Sequence, residues 1–182
     1  MKRTTLQKMV TTAVMSALAV ILTWVEIQVG PAGGSINIVM LPIIIVAYCY
    51  GLAWGVGSGL VLGFVKCIIG GGLGWGLPSI LLDYVLAYAA VGLAGIFSGK
   101  KWGLGIGAVI GCIARFGVHF VSGVTIYAIA TNTEIAGIMT SNAWLYSLIY
   151  NGLYMLPSSV IVIALAFVLK KPIDTYMGKK KS

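Results

Sequence analysis

The stretch Pro78–Phe97 is an apolar run with the length of a membrane span, yet it contains a carboxylate, Asp83. A transmembrane helix needs about 20 mostly apolar residues. An ionisable group inside a bilayer is costly, so it usually faces a partner, a cavity or a ligand. Tyr84 and Tyr88 add aromatic faces beside Asp83, a combination that suits an organic cation. The alternative is a structural salt bridge, or a carboxylate at the favourable end of the helix dipole.

The whole chain has the composition of an integral membrane protein. Of its 182 residues, 59% are hydrophobic and only 9% are charged, and the mean hydropathy is +1.02. Soluble domains are about a quarter charged. The length accommodates about six spans and leaves no room for a soluble catalytic domain. We therefore expect a single membrane domain over residues 1–182.

The net charge of +8 is concentrated in short basic clusters beside apolar segments. Such clusters are typical of topology signals, so nucleic acid is excluded as a partner. The basic N-terminus leads into an apolar run without a small-residue cleavage site, and we expect that run to be retained. Three scattered cysteines, Cys49, Cys67 and Cys112, are interpreted as small core residues.

Breaks between the apolar runs predict an all-α bundle of six transmembrane helices. Clustered glycine and proline interrupt helices, which marks residues 30–35 and Gly51 as boundaries, and residues 131–142 form a polar loop. The predicted spans cover about Leu6 to Val29, Ile36 to Tyr50, Leu52 to Ile69, Pro78 to Phe97, Gly103 to Ala130 and Ala143 to Leu169.

Positive charges decide whether Gly51 is a turn. With six spans, one side of the membrane receives all the basic clusters, namely Lys2, Arg3, Lys8, Lys100, Lys101 and the lysines of the C-terminal tail. This is the positive-inside pattern. A single span over residues 36–69 would put Lys100 and Lys101 opposite the N-terminal cluster. Both termini are therefore predicted to be cytoplasmic.

This topology places most polar side chains in the outer half of the membrane. At about 1.5 Å per residue, Arg115 lies deeper than His119, near the middle. The inner half of every span is almost wholly apolar, which predicts a pocket that is open outward and sealed inward. The residues expected at the outer level are Glu26, Lys66, Asp83, Tyr84, Tyr127, Tyr146 and Asn151.

Some of these side chains also have a purely structural interpretation. His119 shares a helix face with Arg115, and a lone buried histidine is often satisfied by a neighbour. Asn151 must bond either another helix or a ligand. Trp75 lies where aromatic belts occur, although in its glycine-rich loop it can also cover a ligand. No metal-ligand spacing is present, so neither a metal nor a cofactor is expected.

Small residues recur at four-residue spacing on three spans, which lets helices approach closely. Most of these positions are expected to pack internally. Ala13 and Ala17 lie on the cytoplasmic half of the first span, where a second protein can equally dock. The other positions are Gly55, Gly59 and Gly63 on the third span and Gly103, Gly107 and Gly111 on the fifth.

At these residues the chain resembles the substrate-binding S components of energy-coupling-factor (ECF) vitamin transporters, most closely the thiamine-specific ones. The resemblance runs from about Thr5 to Leu169, and Ala13 with Ala17 is similar to the family's docking motif for its coupling protein. The most specific parts are Asp83-Tyr84-Val85-Leu86-Ala87 with GLAG at 92–95, Arg115-Phe116 with His119-Phe120 and Gly123-Val124, and Tyr146-Ser147 with Asn151-Gly152.

The resemblance implies a non-enzymatic binding protein of the bacterial plasma membrane. It would capture thiamine from outside with high affinity and deliver it only when joined to a transmembrane coupling protein and two ATPase subunits. The ligand-contacting positions that it implies are Asp83, Tyr84, His119, Tyr127, Tyr146 and Asn151, to which we add Trp75.

Two positions depart from the family pattern. The family usually has glutamate at position 83 and tryptophan at position 127, where this chain has Asp83 and Tyr127. A shorter carboxylate and a smaller ring favour, as the alternative, a related thiamine precursor or another vitamin as substrate.

Two other classes of function compete with a binding subunit. An intramembrane enzyme would use Asp83 and His119 as an acid–base pair. A self-sufficient ion-coupled carrier would need polar residues across the midplane, where Arg115 is the only candidate. The run Gly95–Lys100 is one residue short of a phosphate loop, so the sequence indicates no energy supply of its own.

Overall fold

The computed structural model describes residues 4–29, 34–126 and 132–178. Within these ranges the chain forms six helices and two short antiparallel strand pairs, which confirms the predicted six-helix bundle. The helices are α1 (Thr5–Ile21), α2 (Met40–Tyr50), α3 (Leu52–Ile69), α4 (Leu77–Phe97), α5 (Gly103–Thr125) and α6 (Ala143–Tyr176). The strands are β1 (Ile27–Gln28), β2 (Ser35–Ile36), β3 (Thr133–Ile135) and β4 (Ile138–Thr140).

Five of these helices are long and apolar enough to cross a membrane, and α2 is the shorter one. Its 11 residues, at about 1.5 Å each, cover roughly half of a 30 Å hydrocarbon core. Ile43, Ile44 and Ala47 of α2 are completely buried, as expected for a helix that is apolar all round. Gly51 joins α2 to α3 with a φ of +93°, a conformation that glycine adopts readily. The predicted tight turn at Gly51 is confirmed.

The first two predicted spans end differently in the structure. Helix α1 and the 3-10 turn after it stop at Trp24, not at Val29, and α2 begins at Met40 rather than Ile36. Between them β1 pairs with β2, and the amide of Val29 donates to the carbonyl of Gly34 at 2.7 Å. Backbone groups beyond α1 are therefore satisfied by strand pairing instead of by a longer helix.

The last third of the chain also departs from the predicted boundaries. The loop 131–142 contains the β3–β4 pair, whose turn includes Ala136 and Gly137 at positive φ. Helix α6 continues beyond Leu169 to Tyr176, and in this extension Asp174 accepts hydrogen bonds from Lys170 and from Tyr48. Helix α5 ends at Thr125. The remainder of the predicted fifth span and the basic residues at both termini lie outside the described residues: Tyr127 to Ala130, Lys2, Arg3 and Lys179 to Lys181.

Helix α4 changes its hydrogen-bond pattern along its length. After one α-helical turn, Ile80–Leu86 forms a π-helix, and Gly92–Phe97 closes the helix as a 3-10 segment. π-Helical segments are rare and occur often at functional sites. Both Asp83 and Tyr84 lie in this segment, so the irregular part of α4 carries the charge that the sequence singled out.

Glycines bring α3 and α5 against the backbone of α4. A methyl group built on Gly59 would collide with the carbonyl group of Tyr88, and one built on Gly107 would lie 2.7 Å from the carbonyl oxygen of Ala94. The internal packing predicted for the four-residue glycine repeats is thereby confirmed. The other glycines with such approaches are Gly55, Gly63, Gly103 and Gly111.

An apolar cluster fills the half of the bundle where α4 ends. Its buried side chains include Tyr48, Leu104, Ala108 and Val162. The basic residues Lys100 and Lys101 directly follow α4 at this end, so by the positive-inside rule this half faces the cytoplasm. The polar side chains of the spans collect in the opposite half.

We predict that Gly59→Ala destabilises the protein while Gly57→Ala does not. The methyl group at position 59 forces α3 away from the α4 backbone, whereas position 57 on the same helix has open space. Overpacking costs about 1–3 kcal/mol, so the melting temperature of the position-59 variant should fall by about 2–12 °C. Thermal unfolding in detergent measures both variants. Equal melting temperatures for the two would contradict the close contact between α3 and α4.

Candidate functional site

A cavity of about 530 Å³ lies in the polar half of the bundle. The starts of α4 and α6, the ends of α3 and α5 and the β1–β2 pair surround it. The convergence predicted from the sequence is present for every residue except Tyr127, which lies outside the described residues. Polar, charged and aromatic side chains of the lining are Glu26, Gln28, Ser35, Lys66, Trp75, Ser79, Asp83, Tyr84, Tyr88, Arg115, His119, Ser122, Tyr146, Ser147, Tyr150, Asn151 and Tyr154.

Asp83 is the centre of a hydrogen-bonded cluster. Ser79, one turn earlier on α4, donates to Oδ2 at 2.9 Å. From α5, Ser122 donates to Oδ2 at 2.8 Å, and Nδ1 of His119 lies 3.0 Å from Oδ1. A carboxylate only accepts, so Nδ1 of His119 carries the hydrogen. The carboxylate thus joins α4 to α5 and orients the imidazole.

The second ring nitrogen of His119, Nε2, differs from Nδ1 in its hydrogen bonding. Nε2 is buried and has no hydrogen-bond partner among the described residues. Because Nδ1 carries the hydrogen towards Asp83, Nε2 of the neutral ring is an acceptor. Buried polar atoms without partners are rare in proteins. His119 lines the cavity, and this acceptor nitrogen has a hydrogen bond that the described residues do not supply.

Asn151 connects α6 to α5. Its Nδ2 donates to the carbonyl of Ser147 at 2.9 Å and to the carbonyl of His119 at 3.3 Å. Tyr154 donates to its Oδ1 at 2.6 Å. Of the two interpretations that the sequence left open, the bond to another helix is present. An amide oxygen has two lone pairs, and the bond from Tyr154 uses one of those on Oδ1.

Three tyrosines at helical spacing on α6 form one wall of the cavity. The rings of Tyr146 and Tyr150 stack with centroids 6.1 Å apart, and Tyr154 meets Tyr150 edge to face at 5.7 Å. The hydroxyl of Tyr150 accepts from the amide of Gly34 at 3.0 Å, which ties the β1–β2 hairpin to the wall. Tyr84 and Trp75 line the cavity as well.

An ion pair lies beside the hairpin. Nζ of Lys66 is 3.2 Å from Oε2 of Glu26, and Ser35 donates to the same oxygen at 2.7 Å. Burial raises the pKa of the Glu26 carboxyl, but the hydrogen bond from Ser35 and the Lys66 ammonium outweigh it, so the pKa lies below the ordinary value of 4.5. The pair links the hairpin to α3.

Asp83 has the structural role considered from the sequence, but its partners are His119 and two serines and not a permanently charged side chain. A salt bridge from Asp83 to Lys66 or Arg115 is absent among the described residues, because Lys66 pairs with Glu26 and Arg115 donates to the hydroxyl of Tyr88 at 3.1 Å. Both cations lie on other helices than Asp83, and sequence spacing does not reveal which charge each one meets. His119 is the partner instead.

Sequence reasoning overlooked the two serines of the cluster. Ser79 precedes Asp83 by four residues and Ser122 follows His119 by three, and such spacings put side chains on one helix face. That spacing was the available signal. Within the described ranges, no group of three residues is arranged to hold a metal ion. Ala13 and Ala17 are exposed on α1, away from the cavity.

Sequence comparison identifies the family. The model of the thiamine transporter protein family (Thia_YuaJ) matches residues 9–177. The chain belongs to this family. The resemblance to thiamine-specific proteins is thereby confirmed, and the chain is a multi-pass cell-membrane protein of a transporter family, not an enzyme.

Individual members of the family cover most of the chain. It is 33% identical over 171 residues to the thiamine transporter ThiT of Bacillus subtilis (strain 168), with 86% of each protein covered. Identity to ThiT of Lacticaseibacillus paracasei is 30% over 174 residues, which covers 87% of this chain and 84% of that protein. The solved structure of ThiT from Listeria monocytogenes has a TM-score of 0.80 at 21% identity, over 94% of this chain and 97% of that one, so the fold is the same.

We predict a pH-dependent contribution of Glu26 to stability. Its pKa is lower in the folded protein, so the stabilisation is present above the unfolded pKa and is lost as the pH falls through the folded value. At neutral pH the melting temperature of the wild-type protein should exceed that of Glu26→Gln by at most about 4 °C. This difference should disappear below pH 4.5 as the carboxyl protonates.

Glu134→Gln is the matched control, because Glu134 is exposed on β3. We expect it to leave the melting temperature unchanged across the same pH range. A difference for Glu26→Gln that persists in acid would show that the ion pair with Lys66 is not its source.

Proposed function

We propose that this protein is the thiamine-binding S component of an ECF vitamin transporter and that the cavity around Asp83 binds thiamine from the outer side of the membrane. One observation carries the proposal: a carboxylate lies in an aromatic-lined cavity in a member of the thiamine transporter family. Thiamine has a permanently cationic thiazolium ring and an aminopyrimidine ring with donors and acceptors. Its chemistry complements that lining.

The cavity has the size and surfaces that such a ligand needs. Its volume of about 530 Å³ falls within the range of small-molecule sites, about 300–1,000 Å³. The faces of Tyr84, Tyr146 and Trp75 can stack on flat rings and attract a cation. Asp83 supplies the opposite charge, Nε2 of His119 accepts an amino hydrogen, and Asn151 offers the free acceptor position of Oδ1. Tyr127 stays an expected contact.

The proposed transport mechanism requires partners. The apolar cluster at the cytoplasmic end leaves no polar path through the described part of the bundle, so release on the inner side depends on a larger rearrangement. In this proposal a transmembrane coupling protein and two ATPase subunits drive it. Thiamine binding by this chain needs none of them, while accumulation needs all.

Helix α1 offers a surface on which the coupling protein can dock. Ser16 and Ala19 are buried, and Ser16 bonds Ser58 of α3 at 2.9 Å. Ala13 and Ala17 on the same helix are exposed. A face of small residues lets a partner helix approach closely, and this one is far from the cavity.

We predict that Asp83→Asn weakens thiamine binding by roughly 10- to 150-fold. The substitution keeps the shape of the side chain and removes a charge-assisted contact of about 1.5–3 kcal/mol. A neutral analogue, in which an uncharged ring replaces the thiazolium, should lose much less affinity. Quenching of tryptophan fluorescence or calorimetry with purified protein gives both affinities, and the separate pyrimidine and thiazole halves of thiamine test the precursor alternative.

The matched control is Glu26→Gln, which removes the other carboxylate of the cavity. We expect a smaller loss of thiamine affinity there, since Lys66 already neutralises Glu26. If Asp83→Asn weakens both ligands alike and lowers the melting temperature, Asp83 serves only to hold His119. Unchanged thiamine affinity would remove Asp83 from the binding site.

We predict that Ala13→Trp or Ala17→Trp abolishes transport and leaves thiamine binding nearly intact. A large side chain on the small-residue face prevents close docking. The reference is the wild-type protein in vesicles: alone it should not accumulate thiamine, and adding the coupling protein, the ATPases and ATP should produce uptake. Uptake assays and co-purification with the coupling protein measure the effect.

Leu18→Trp provides the control for this experiment, because Leu18 is also exposed on α1 but lies on a different side of the helix. It should retain assembly and uptake. Loss of thiamine binding in the alanine variants would mean that these alanines pack internally. Uptake by wild type alone, driven by an ion gradient, would replace the proposal with a self-sufficient carrier.

A further inference from the structure

Arg115 is a buried cation at the inner end of the cavity. Its exposure is 5%, and it lies one helical turn deeper on α5 than His119. Its guanidinium group lies 4.4 Å from the ring centroid of Tyr88 and donates to the hydroxyl of that residue at 3.1 Å. Nε is buried without a hydrogen-bond partner among the described residues. Arg115 lines the cavity, so its side chain brings to the cavity wall a charge and a donor whose hydrogen bond the described residues do not supply.

No side-chain carboxylate forms an ion pair with Arg115 among the described residues. The sequence contains only four acidic residues, all within the described ranges, and none contacts Arg115. Glu26 pairs with Lys66, Asp83 with His119 and Asp174 with Lys170, and Glu134 is exposed on β3. An unpaired charge in a buried site is costly, and the contact with an aromatic ring offsets this cost only in part.

The sum of the charges in the cavity also favours an anion beside Arg115. Its two carboxylates, Glu26 and Asp83, are matched by two cations, Lys66 and Arg115. A cationic ligand therefore leaves the filled cavity with a net positive charge while His119 is neutral. In a site of low dielectric such an excess is unfavourable. An anion next to Arg115 removes it.

We propose that Arg115 forms an anion site at the inner end of the cavity and that a singly charged anion binds together with the cationic ligand. This inference rests on the proposed function, since it takes the ligand to be thiamine. A guanidinium group presents several N–H donors in a plane, which suits halides and oxyanions. The anion is either a free ion or a phosphate ester carried by the ligand itself.

Whether salt strengthens or weakens thiamine binding tests the hypothesis that a free anion occupies the site. Salt normally weakens the attraction between a cation and a carboxylate by screening. A coupled anion does the opposite, because each ligand raises the affinity of the other by the same factor. Raising sodium chloride from about 1 to about 100 mM should strengthen thiamine binding to the wild-type protein, by about 5- to 150-fold at saturation.

Arg115→Gln keeps donor groups and removes the charge. In this variant the dependence should reverse, so that chloride weakens thiamine binding through screening alone. Lys66→Gln is the comparison variant: it removes the other cation and lowers the net charge of the cavity but leaves the guanidinium group, so it should keep part of the strengthening by chloride. If the strengthening is lost in Lys66→Gln and kept in Arg115→Gln, the anion site belongs to Lys66 and the proposal is overturned.

Thiamine monophosphate separates the two sources of the anion. If the ester occupies the site, its binding is not strengthened by chloride and is weakened more by Arg115→Gln than thiamine binding is. Two results together would show that the anion site is absent. Chloride would not strengthen thiamine binding, and Arg115→Gln would not weaken binding of the monophosphate more than binding of thiamine. The proposed function then still stands as long as thiamine binds, whereas absence of thiamine binding contradicts that function independently of the anion.

A measurement on the wild-type protein covers the case in which Arg115→Gln fails to fold. Crystals grown with thiamine and sodium bromide should show anomalous scattering from bromide within hydrogen-bonding distance of the Arg115 guanidinium. Crystals that contain thiamine monophosphate should show its phosphate there instead when the ester is the source. Thiamine bound with neither group beside Arg115 would overturn the inference.

Discussion

The hydrogen-bonded carboxylate of Asp83 is the interaction on which the rest of the site depends. A charge in the membrane interior persists only when its surroundings compensate it. Here Ser79 on α4 and Ser122 with His119 on α5 do so. The same bonds hold two helices together at the level of the cavity and leave Nε2 of His119 without a hydrogen-bond partner among the described residues. In the proposed function, one group of atoms therefore serves both stability and recognition.

Close helix packing makes this arrangement possible. Lipid offers no hydrophobic drive for helix association, so membrane bundles depend on tight contacts between small residues. Gly59 and Gly107 allow α3 and α5 to approach the backbone of α4, which brings Lys66 and His119 to the same cavity as Asp83. On the cytoplasmic side the same helices close around apolar side chains. The bundle thus holds a polar chamber at one end and a seal at the other, an architecture suited to capturing a solute rather than conducting it.

Sequence reasoning found most of the cavity residues but not their pairings. Asp83, His119 and Asn151 were singled out because polar groups are unexpected in apolar spans. Their partners are distant in sequence: His119 is separated from Asp83 by 36 positions and lies on another helix. Pairing of Asp83 with Lys66 or Arg115 was equally compatible with the sequence and is wrong. The ends of the spans were also misplaced, since apolar composition continues from α1 into the β1–β2 hairpin, where strand pairing satisfies the backbone instead.

What the sequence determined by itself was the class of protein, the number of helices and the end of the bundle at which most of its candidate polar residues meet. A bilayer constrains a chain along one dimension, so apolar length, basic clusters and a rise of about 1.5 Å per residue place a side chain along the membrane normal. Only the tertiary structure decided the rotation of each helix and its neighbours. Those depend on side-chain shape and backbone contact between distant segments, as at Gly59 and Tyr88. For that reason the shared level of these side chains was predictable, and the bond from Asp83 to His119 was not.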